Sequence, residues 1–297
     1  MRVVLLGTAA DGGFPQWNCA CGLCSAARDG KLPARTQECV AVSGNSRDWW
    51  LLNASPDVRT QLNATPALAP GPRGTPVCGV LLTDAEADHV MGLAVLRGAP
   101  GLKVYAAPPV LDALSPLRTL LDRHTLWEWA DSLTEGGFVL AGGLVVSAHA
   151  VGSKAPGHIA GTAADDDRWM TAYRIEDLTS GGVLVYAPCL GEWTPALDGL
   201  FTGATCVLLD GTFYATEGTD TAVRGSHGRK SKERLPGHLP VSGVDGSLAA
   251  LARHPDARVV YTHLDSTNPL LDPATDACAS VTGAGAEILP DGAEFVL

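Results

Sequence analysis

Several features are scarce in this 297-residue sequence, and each scarcity argues against a class of protein. No apolar run approaches the roughly 20 residues that a membrane-spanning helix needs. The first apolar run, residues 3–6, is far too short for the apolar core of a signal peptide. Positive charge is also scarce: 21 lysines and arginines against 32 acidic residues give a net charge of −11, which argues against nucleic-acid binding. We therefore expect a soluble, cytoplasmic protein without membrane insertion or a nucleic-acid partner.

The sequence also lacks an internal repeat and a linker that would divide it. The apolar content of 46% is enough for a sizeable core, and strand-like and helix-like patterns alternate from one end to the other. These patterns predict a single α/β domain over residues 1–297, with two sheets and helices on their outer faces, in preference to a doubly wound parallel sheet.

The eight cysteines fall into two groups. Five lie in or beside apolar stretches, which is typical of ordinary buried thiols: Cys39, Cys78, Cys189, Cys206 and Cys278. The others, Cys19, Cys21 and Cys24, lie in an irregular, turn-rich segment near residues 14–25. Three thiolates at this spacing predict a structural zinc site that pins the loop, with a fourth ligand that the sequence does not identify. A buried or reactive cysteine cluster is the alternative.

The segment 81–93 carries four ionisable groups on one strand-to-helix turn: Asp84, Glu86, Asp88 and His89. It follows a buried apolar strand at residues 77–82, and open sheets bind their ligands just beyond the ends of such strands. Because crowded acidic groups repel one another, a bound cation would stabilise this turn. A solvated acidic turn is the alternative.

His263 also follows an apolar strand, and so do Asp57 and Asp210. Asp88, His89 and His263 together would give a carboxylate and two imidazoles, which suits Fe²⁺ and, less distinctively, Mn²⁺ or Zn²⁺. The remaining acids of this group, Asp84, Glu86 and Asp210, would complete the ligand shell or orient it from outside. His238 is a candidate catalytic acid or base; a turn-stabilising histidine is the alternative.

A basic segment near residues 215–236 interrupts the acidic chain. We interpret it as an ordinary surface loop, with a lid as the alternative. Its cations are candidates for binding substrate carboxylates: Arg224, Arg229, Lys230, Lys232 and Arg234.

The stretch Thr-Asp-Ala-Glu-Ala-Asp-His at residues 83–89 resembles the Thr-His-x-His-x-Asp-His signature of the metallo-β-lactamase fold. Asp57 and His263 are similar to the first aspartate and last histidine of that fold. Asp84 and Glu86 replace the first two histidines, and the middle histidine has no clear equivalent, since His149 comes slightly early.

The chain resembles the coenzyme PQQ synthesis protein B family more closely. The similar segments cover residues 7–21, 51–59, 83–92, 186–193, 209–213, 237–240 and 263–269 in the expected order. The resemblance implies an αββα sandwich of two mixed sheets, a structural zinc at the cysteines, and a role in making pyrroloquinoline quinone (PQQ) from a glutamate and a tyrosine of a precursor peptide.

Two activities follow from this resemblance. One is iron- and oxygen-dependent hydroxylation of a tyrosine-derived ring in a peptide or amino-acid precursor, alongside other PQQ biosynthesis proteins. The other is a carrier role, moving PQQ or its precursor towards the periplasm. The wider fold adds a third, a metal-dependent hydrolase. Residues 224–235 and 264–266 depart from the family pattern, as they would in a paralogue with a different substrate.

Overall fold

The computed structural model describes residues 1–72, 74–215 and 237–297, whose strands form two sheets. The strands in chain order are β1 (Arg2–Gly7), β2 (Cys39–Ser43), β3 (Trp49–Leu52), β4 (Val77–Leu81), β5 (Lys103–Ala106), β6 (Glu128–Asp131), β7 (Phe138–Leu140), β8 (Leu144–Gly152), β9 (Met170–Asp177), β10 (Val183–Ala187), β11 (Cys206–Asp210), β12 (Arg258–Thr262), β13 (Ala286–Glu287) and β14 (Glu294–Val296). In this described part, the first sheet has the order β14-β1-β2-β3-β4-β5-β6 and the second β13-β12-β11-β10-β9-β8-β7.

Each sheet is half antiparallel and half parallel. In the first sheet, the pairs from β14 to β3 are antiparallel and those from β3 to β6 are parallel. In the second sheet, the pairs from β7 to β10 are antiparallel and those from β10 to β13 are parallel. Parallel strands end at the same edge, so their carboxyl ends can gather side chains from distant parts of the chain.

The helices lie on the outer faces of the sheets. In chain order they are α1 (Gly22–Arg28), α2 (Val58–Ala64), α3 (Ala87–Val90), α4 (Gly92–Val95), α5 (Pro108–Ala113), α6 (Ser115–Leu121), α7 (Pro195–Phe201), α8 (Ser247–Leu251) and α9 (Asp276–Gly283), with short 3₁₀ turns at Pro66–Leu68, Leu96–Gly98 and Pro269–Leu271. Buried residues of α2 to α6 pack on the first sheet, and those of α1 and α7 to α9 pack on the second.

Alternation along the strands separates the inner core from the outer cores. In β1, Val3 and Leu5 pack in the core shared by both sheets, whereas Val4 and Leu6 pack in the core that includes the helices of the first sheet. This two-residue period is what a strand buried on both faces requires. The predicted αββα sandwich of two mixed sheets is therefore confirmed.

Three local elements differ from the sequence-based expectation. The segment near residues 14–25 is not irregular throughout, because α1 begins at Gly22 and the Cys21 sulfur accepts a hydrogen bond from the Cys24 N–H. The strand β6 was not predicted, since its four residues carry a charge at each end and lie at the edge of the sheet. The sequence pattern predicts the last helix over residues 273–281, but this helix begins at Asp276, because the Thr275 hydroxyl caps it.

No helix within the described ranges is long and apolar enough to cross a bilayer.

Candidate metal centre

The loop after β4 places His89 and Asp84 in direct contact. Both carboxylate oxygens of Asp84 lie near His89 Nδ1, at 2.8 and 2.9 Å. Asp84 also accepts hydrogen bonds from the Glu86 N–H and the Thr83 hydroxyl, and both partners of the pair are buried. A carboxylate that receives the Nδ1 proton fixes the tautomer and leaves Nε2 as a free ligand atom.

Electrostatics at this pair favours a positive charge. Burial lowers the pKa of His89, but the charges of Asp84 and Asp88 outweigh it and hold the pKa at about 10. Burial raises the pKa of Asp84, and the charge and hydrogen bond of His89 more than reverse this, so its pKa lies below the usual range. His89 Nε2 is buried without a hydrogen-bond partner among the described residues. A buried ring nitrogen of this kind is available as a ligand atom for a metal ion.

Asp88 and His263 lie close to His89, so that three possible ligand atoms face one another. Asp88 lies in α3, and its Oδ2 accepts a hydrogen bond from the Asp11 N–H at 2.8 Å. That oxygen lies 3.8 Å from His89 Nε2 and 3.4 Å from His263 Nε2. Donor atoms around a tetrahedral zinc lie roughly 3.3–3.6 Å apart. The 3.4 Å separation fits a shared ion, and the 3.8 Å separation is slightly longer. The structure thus brings the predicted trio within reach of one metal.

His263 follows β12 in a left-handed backbone conformation, with φ of +57°. Its Nδ1 lies 2.8 Å from the Thr212 hydroxyl, and its Nε2 is buried with no hydrogen-bond partner in the described part of the chain. Its ring lies 4.9 Å from that of His89, centroid to centroid. A non-glycine residue in this region costs roughly 1–3 kcal/mol and persists where function requires it.

Asp210 and His238 lie next to His263, and the His238 and His263 rings stack with their centroids 5.5 Å apart. Asp210 Oδ2 lies 2.9 Å from His238 Nδ1, and the Thr212 hydroxyl lies 3.0 Å from the same nitrogen. Asp210 also accepts hydrogen bonds from the N–H groups of Leu190 and Thr212. Ligand atoms of Asp210, His238 and His263 lie within 4.8 Å of one another. The Thr212 hydroxyl contacts both His238 Nδ1 and His263 Nδ1, so this group orients the His263 ring through Nδ1.

Several other predicted residues lie apart from the trio. Glu86 forms an ion pair with Lys154 at 3.1 Å, and Asp57 accepts hydrogen bonds from Gln37. His149 is exposed, with its Nε2 3.1 Å from the Ser147 hydroxyl. Residues 216–236, which make up almost all of the basic segment near 215–236, lie outside the described residues. The five predicted substrate-binding cations are among them: Arg224, Arg229, Lys230, Lys232 and Arg234.

Sequence reasoning missed Cys189, which we expected to be an ordinary buried thiol. Its sulfur and one ring nitrogen each of His89 and His263 lie within 4.8 Å of one another. Burial and the charges of Asp84 and Asp210 raise the pKa of this thiol well above 9. Cys189 comes two residues after the end of β10, so the rule about strand ends could have identified it.

Sequence reasoning also missed Glu38, a fully buried acid. Its Oε2 accepts hydrogen bonds from the Tyr186 hydroxyl and the Asn53 amide, whose own oxygen accepts one from the Thr83 N–H. Its Oε1 has no partner within the described residues, and burial raises its pKa to about 7. These contacts connect Glu38 to the turn that carries Asp84. No local pattern in the sequence distinguishes it from a surface acid.

The three clustered cysteines form a second candidate site. Ligand atoms of Cys19, Cys21 and Cys24 lie within 4.8 Å of one another, which suits a soft ion such as zinc. The sulfurs of Cys21 and Cys24 lie 3.6 and 3.9 Å from the Ser266 carbonyl oxygen. The segment 264–266 therefore runs from the metal centre to this cluster.

The contact between Asp84 and His89 leads to the first prediction. Replacing Asp84 with Asn should weaken binding of a divalent ion at the centre by roughly 10- to 100-fold, since a neutral amide lacks the negative charge that makes the His89 imidazole a stronger ligand. Titration of chelator-treated protein with Mn²⁺ or Zn²⁺ measures this. The exposed substitution Asp122→Asn is the control. Unchanged affinity in Asp84→Asn would show that Asp84 does not orient a ligand.

Comparison with known proteins places the chain in a family. The model for the β-lactamase superfamily domain (Lactamase_B_2) matches residues 48–264. The chain is 38% identical over 308 residues to coenzyme PQQ synthesis protein B of Methylococcus capsulatus and 36% identical over 315 residues to that of Bradyrhizobium diazoefficiens, with full coverage of both chains in each case.

Comparison with solved structures indicates the same family. The chain matches the Zn²⁺-bound PqqB of Methylobacterium extorquens with a TM-score of 0.86, at 33% identity and full coverage of both chains. A diphosphatase of the PhnP family matches with a TM-score of 0.69 at 17% identity, over 99% of this chain and 97% of that one, which is a similarity of fold alone. The chain belongs to the coenzyme PQQ synthesis protein B family, within the β-lactamase superfamily.

Proposed function

We propose that this protein acts in PQQ biosynthesis as a non-haem iron, oxygen-dependent hydroxylase of a tyrosine-derived ring in a peptide or amino-acid precursor. Membership of the PQQ synthesis protein B family supports the pathway. The observation that carries the reaction class is the convergence of Asp88 Oδ2 with the Nε2 atoms of His89 and His263, which are buried and have no hydrogen-bond partner among the described residues. Two histidines and a carboxylate with open positions are the ligand set of non-haem iron oxygenases.

In this proposal, the side chains of the centre have three different roles. Asp88, His89 and His263 would hold the iron, which when bound supplies the activation of dioxygen. Asp84 and the Thr212 hydroxyl orient the two imidazoles through Nδ1. His238 Nδ1 contacts Asp210 and Thr212, so its other ring nitrogen is the candidate to hold or move a proton of a bound phenol.

Lys154 is a described cation next to the centre that suits an anionic substrate. Burial lowers its pKa, but the charges of Glu86 and Asp84 outweigh this and raise it, so the ammonium stays charged. The precursor that the family resemblance implies is rich in carboxylates. We expect Lys154 to bind one of them, beside the five cations of the 215–236 segment that the sequence predicts.

Oxygen uptake by iron-loaded protein tests the proposal. A dihydroxyphenylalanine-type substrate should consume dioxygen and gain one oxygen atom, a ring C–H becoming C–OH. The second oxygen atom leaves as water, with two electrons from an added reductant and two protons from solvent. Labelling with heavy dioxygen and mass spectrometry measures this. We expect no uptake with His263→Ala and full uptake with His149→Ala, which changes an exposed histidine.

The contrary outcomes identify the alternatives. Turnover of a phosphodiester or lactam with Mn²⁺ or Zn²⁺, without oxygen uptake, would overturn the proposal in favour of a hydrolase. The Asp210 and His238 group beside His263 is the feature that favours this reading, although Asp84 and Glu86 stand where a two-metal hydrolase needs histidines. Tight binding of PQQ with neither reaction would overturn it in favour of a carrier.

A further inference from the structure

Cys189 is buried among more charged groups than Cys206. Cys206 packs in the apolar core between the two sheets, and the charges that act on its thiol are those of Arg258 and Glu287. Cys189 instead interacts with the charges of Asp84, Asp210, Lys154 and Asp88. Burying a neutral thiol among ionised groups brings no packing advantage, whereas a thiolate beside a metal ion would be stabilised there.

Two independent ligand atoms are directed into the same space. His89 and His263 are 0% and 5% exposed, and the Nε2 atom of each lacks a hydrogen-bond partner in the described part of the chain. A ring nitrogen of each lies within 4.8 Å of the Cys189 sulfur and of the other histidine's nitrogen. Zinc binds nitrogen at about 2.0–2.1 Å and sulfur at about 2.3 Å, so a modest side-chain rotation brings all three atoms into a single shell.

The backbone holds Cys189 at this position. Pro188 and Cys189 follow β10, and the next residue, Leu190, is fully buried and donates its N–H to Asp210 Oδ2 at 2.9 Å. Asp210 in turn binds the Thr212 N–H, and the Thr212 hydroxyl contacts His263 Nδ1. One hydrogen-bonded network therefore sets the positions of Cys189 and His263 relative to each other.

We propose that the Cys189 thiolate is a fourth protein ligand of the metal ion held by Asp88, His89 and His263. This inference rests on the metal centre of the proposed function and deepens it. On binding, the thiol releases its proton to solvent and the sulfur bonds to the ion, with no change of oxidation state. A sulfur ligand moves the preference of the centre towards softer ions such as Zn²⁺ and Co²⁺, relative to a centre of nitrogen and oxygen alone.

Cobalt spectroscopy of the full-length protein tests this ligand. Chelator-treated protein takes up Co²⁺ until both candidate sites are filled, and sulfur-to-cobalt charge transfer is recorded in the near ultraviolet. In Cys189→Ser, the intensity should fall by about a quarter, because three thiolates at the cysteine cluster remain out of four. The affinity for the second ion should fall on the order of 100-fold. Cys206→Ser, the matched control, should change neither quantity.

Each outcome decides the question. Two bound ions with unchanged charge-transfer intensity in Cys189→Ser would overturn the inference while leaving the metal centre intact. A single bound ion in the unmodified protein, unaffected by His263→Ala, would instead remove the centre and the proposed function with it. Cys189→Ala, checked by circular dichroism of the metal-free protein, separates loss of a ligand from loss of the fold. It should reproduce the result of Cys189→Ser if the sulfur is a ligand.

Discussion

Replacing His263 with Ala is expected to lower the affinity of the centre for a divalent ion by more than about 100-fold, the largest effect that we anticipate on metal binding. The reason is that His263 contributes one of two buried imidazole nitrogens without a hydrogen-bond partner in the described part of the chain. Metal content after gel filtration, with and without added Fe²⁺ under anaerobic conditions, measures the loss. The cysteine cluster should keep its own ion, so the stoichiometry should fall from two to one.

A second variant separates the loss of the imidazole from a possible change in the backbone at residue 263. His263 has φ of +57°, which alanine tolerates poorly and asparagine accepts more readily. His263→Asn should therefore retain the fold and still lose the ion, whereas the exposed control His149→Ala should retain both. An unchanged stoichiometry of two in His263→Asn would show that His263 holds no metal.

Replacing Glu38 with Gln should change how stability depends on pH. Burial raises the pKa of Glu38 from its ordinary 4.5 to about 7. Between these values, the folded protein keeps a proton that the unfolded chain has released, so this group makes folding less favourable as pH rises. The glutamine variant has no such proton. Its free energy of unfolding, relative to the unmodified protein, should therefore increase by about 3 kcal/mol from pH 4.5 to pH 8.

Urea denaturation of metal-free protein at several pH values measures this difference. A constant offset is expected as well, because the amide leaves a buried N–H₂ group to satisfy. The control Glu128→Gln changes an exposed acid paired with Lys103, and its difference should stay within about 1 kcal/mol at every pH. A flat difference for Glu38→Gln would show that Glu38 titrates normally in the folded protein.

Much of the fold and part of the site follow from local patterns. Continuous apolar runs identified the central strands, and the ionisable residues just beyond them identified Asp88, His89 and His263. This works because strand ends are local in sequence and parallel strands bring their ends to one edge. The sequence does not show that the edges of the two sheets lie close together. In the folded protein they do, with the His89 and His263 ring centroids 4.9 Å apart.

The residues that were missed depend on contacts between distant parts of the chain. Cys189 stands in Ala-Pro-Cys-Leu, just beyond the end of a strand, but only the fold brings its sulfur close to His89 and His263. Glu38 owes its raised pKa to complete burial, and its hydrogen-bond partner Tyr186 is 148 residues away. The helix α1 was missed because the cysteines drew the interpretation towards an irregular loop, although Leu-Cys-Ser-Ala-Ala-Arg contains good helix formers.

The proposed metal centre would take its donor atoms from both layers of the sandwich. Asp88 and His89 follow a strand of the first sheet, whereas His263 follows a strand of the second. An ion bound by Asp88, His89 and His263 would connect the two layers in the way that a covalent cross-link does. Saturating metal should then raise the melting temperature of both layers together, in one cooperative step, because the ion binds the folded chain and not the unfolded one.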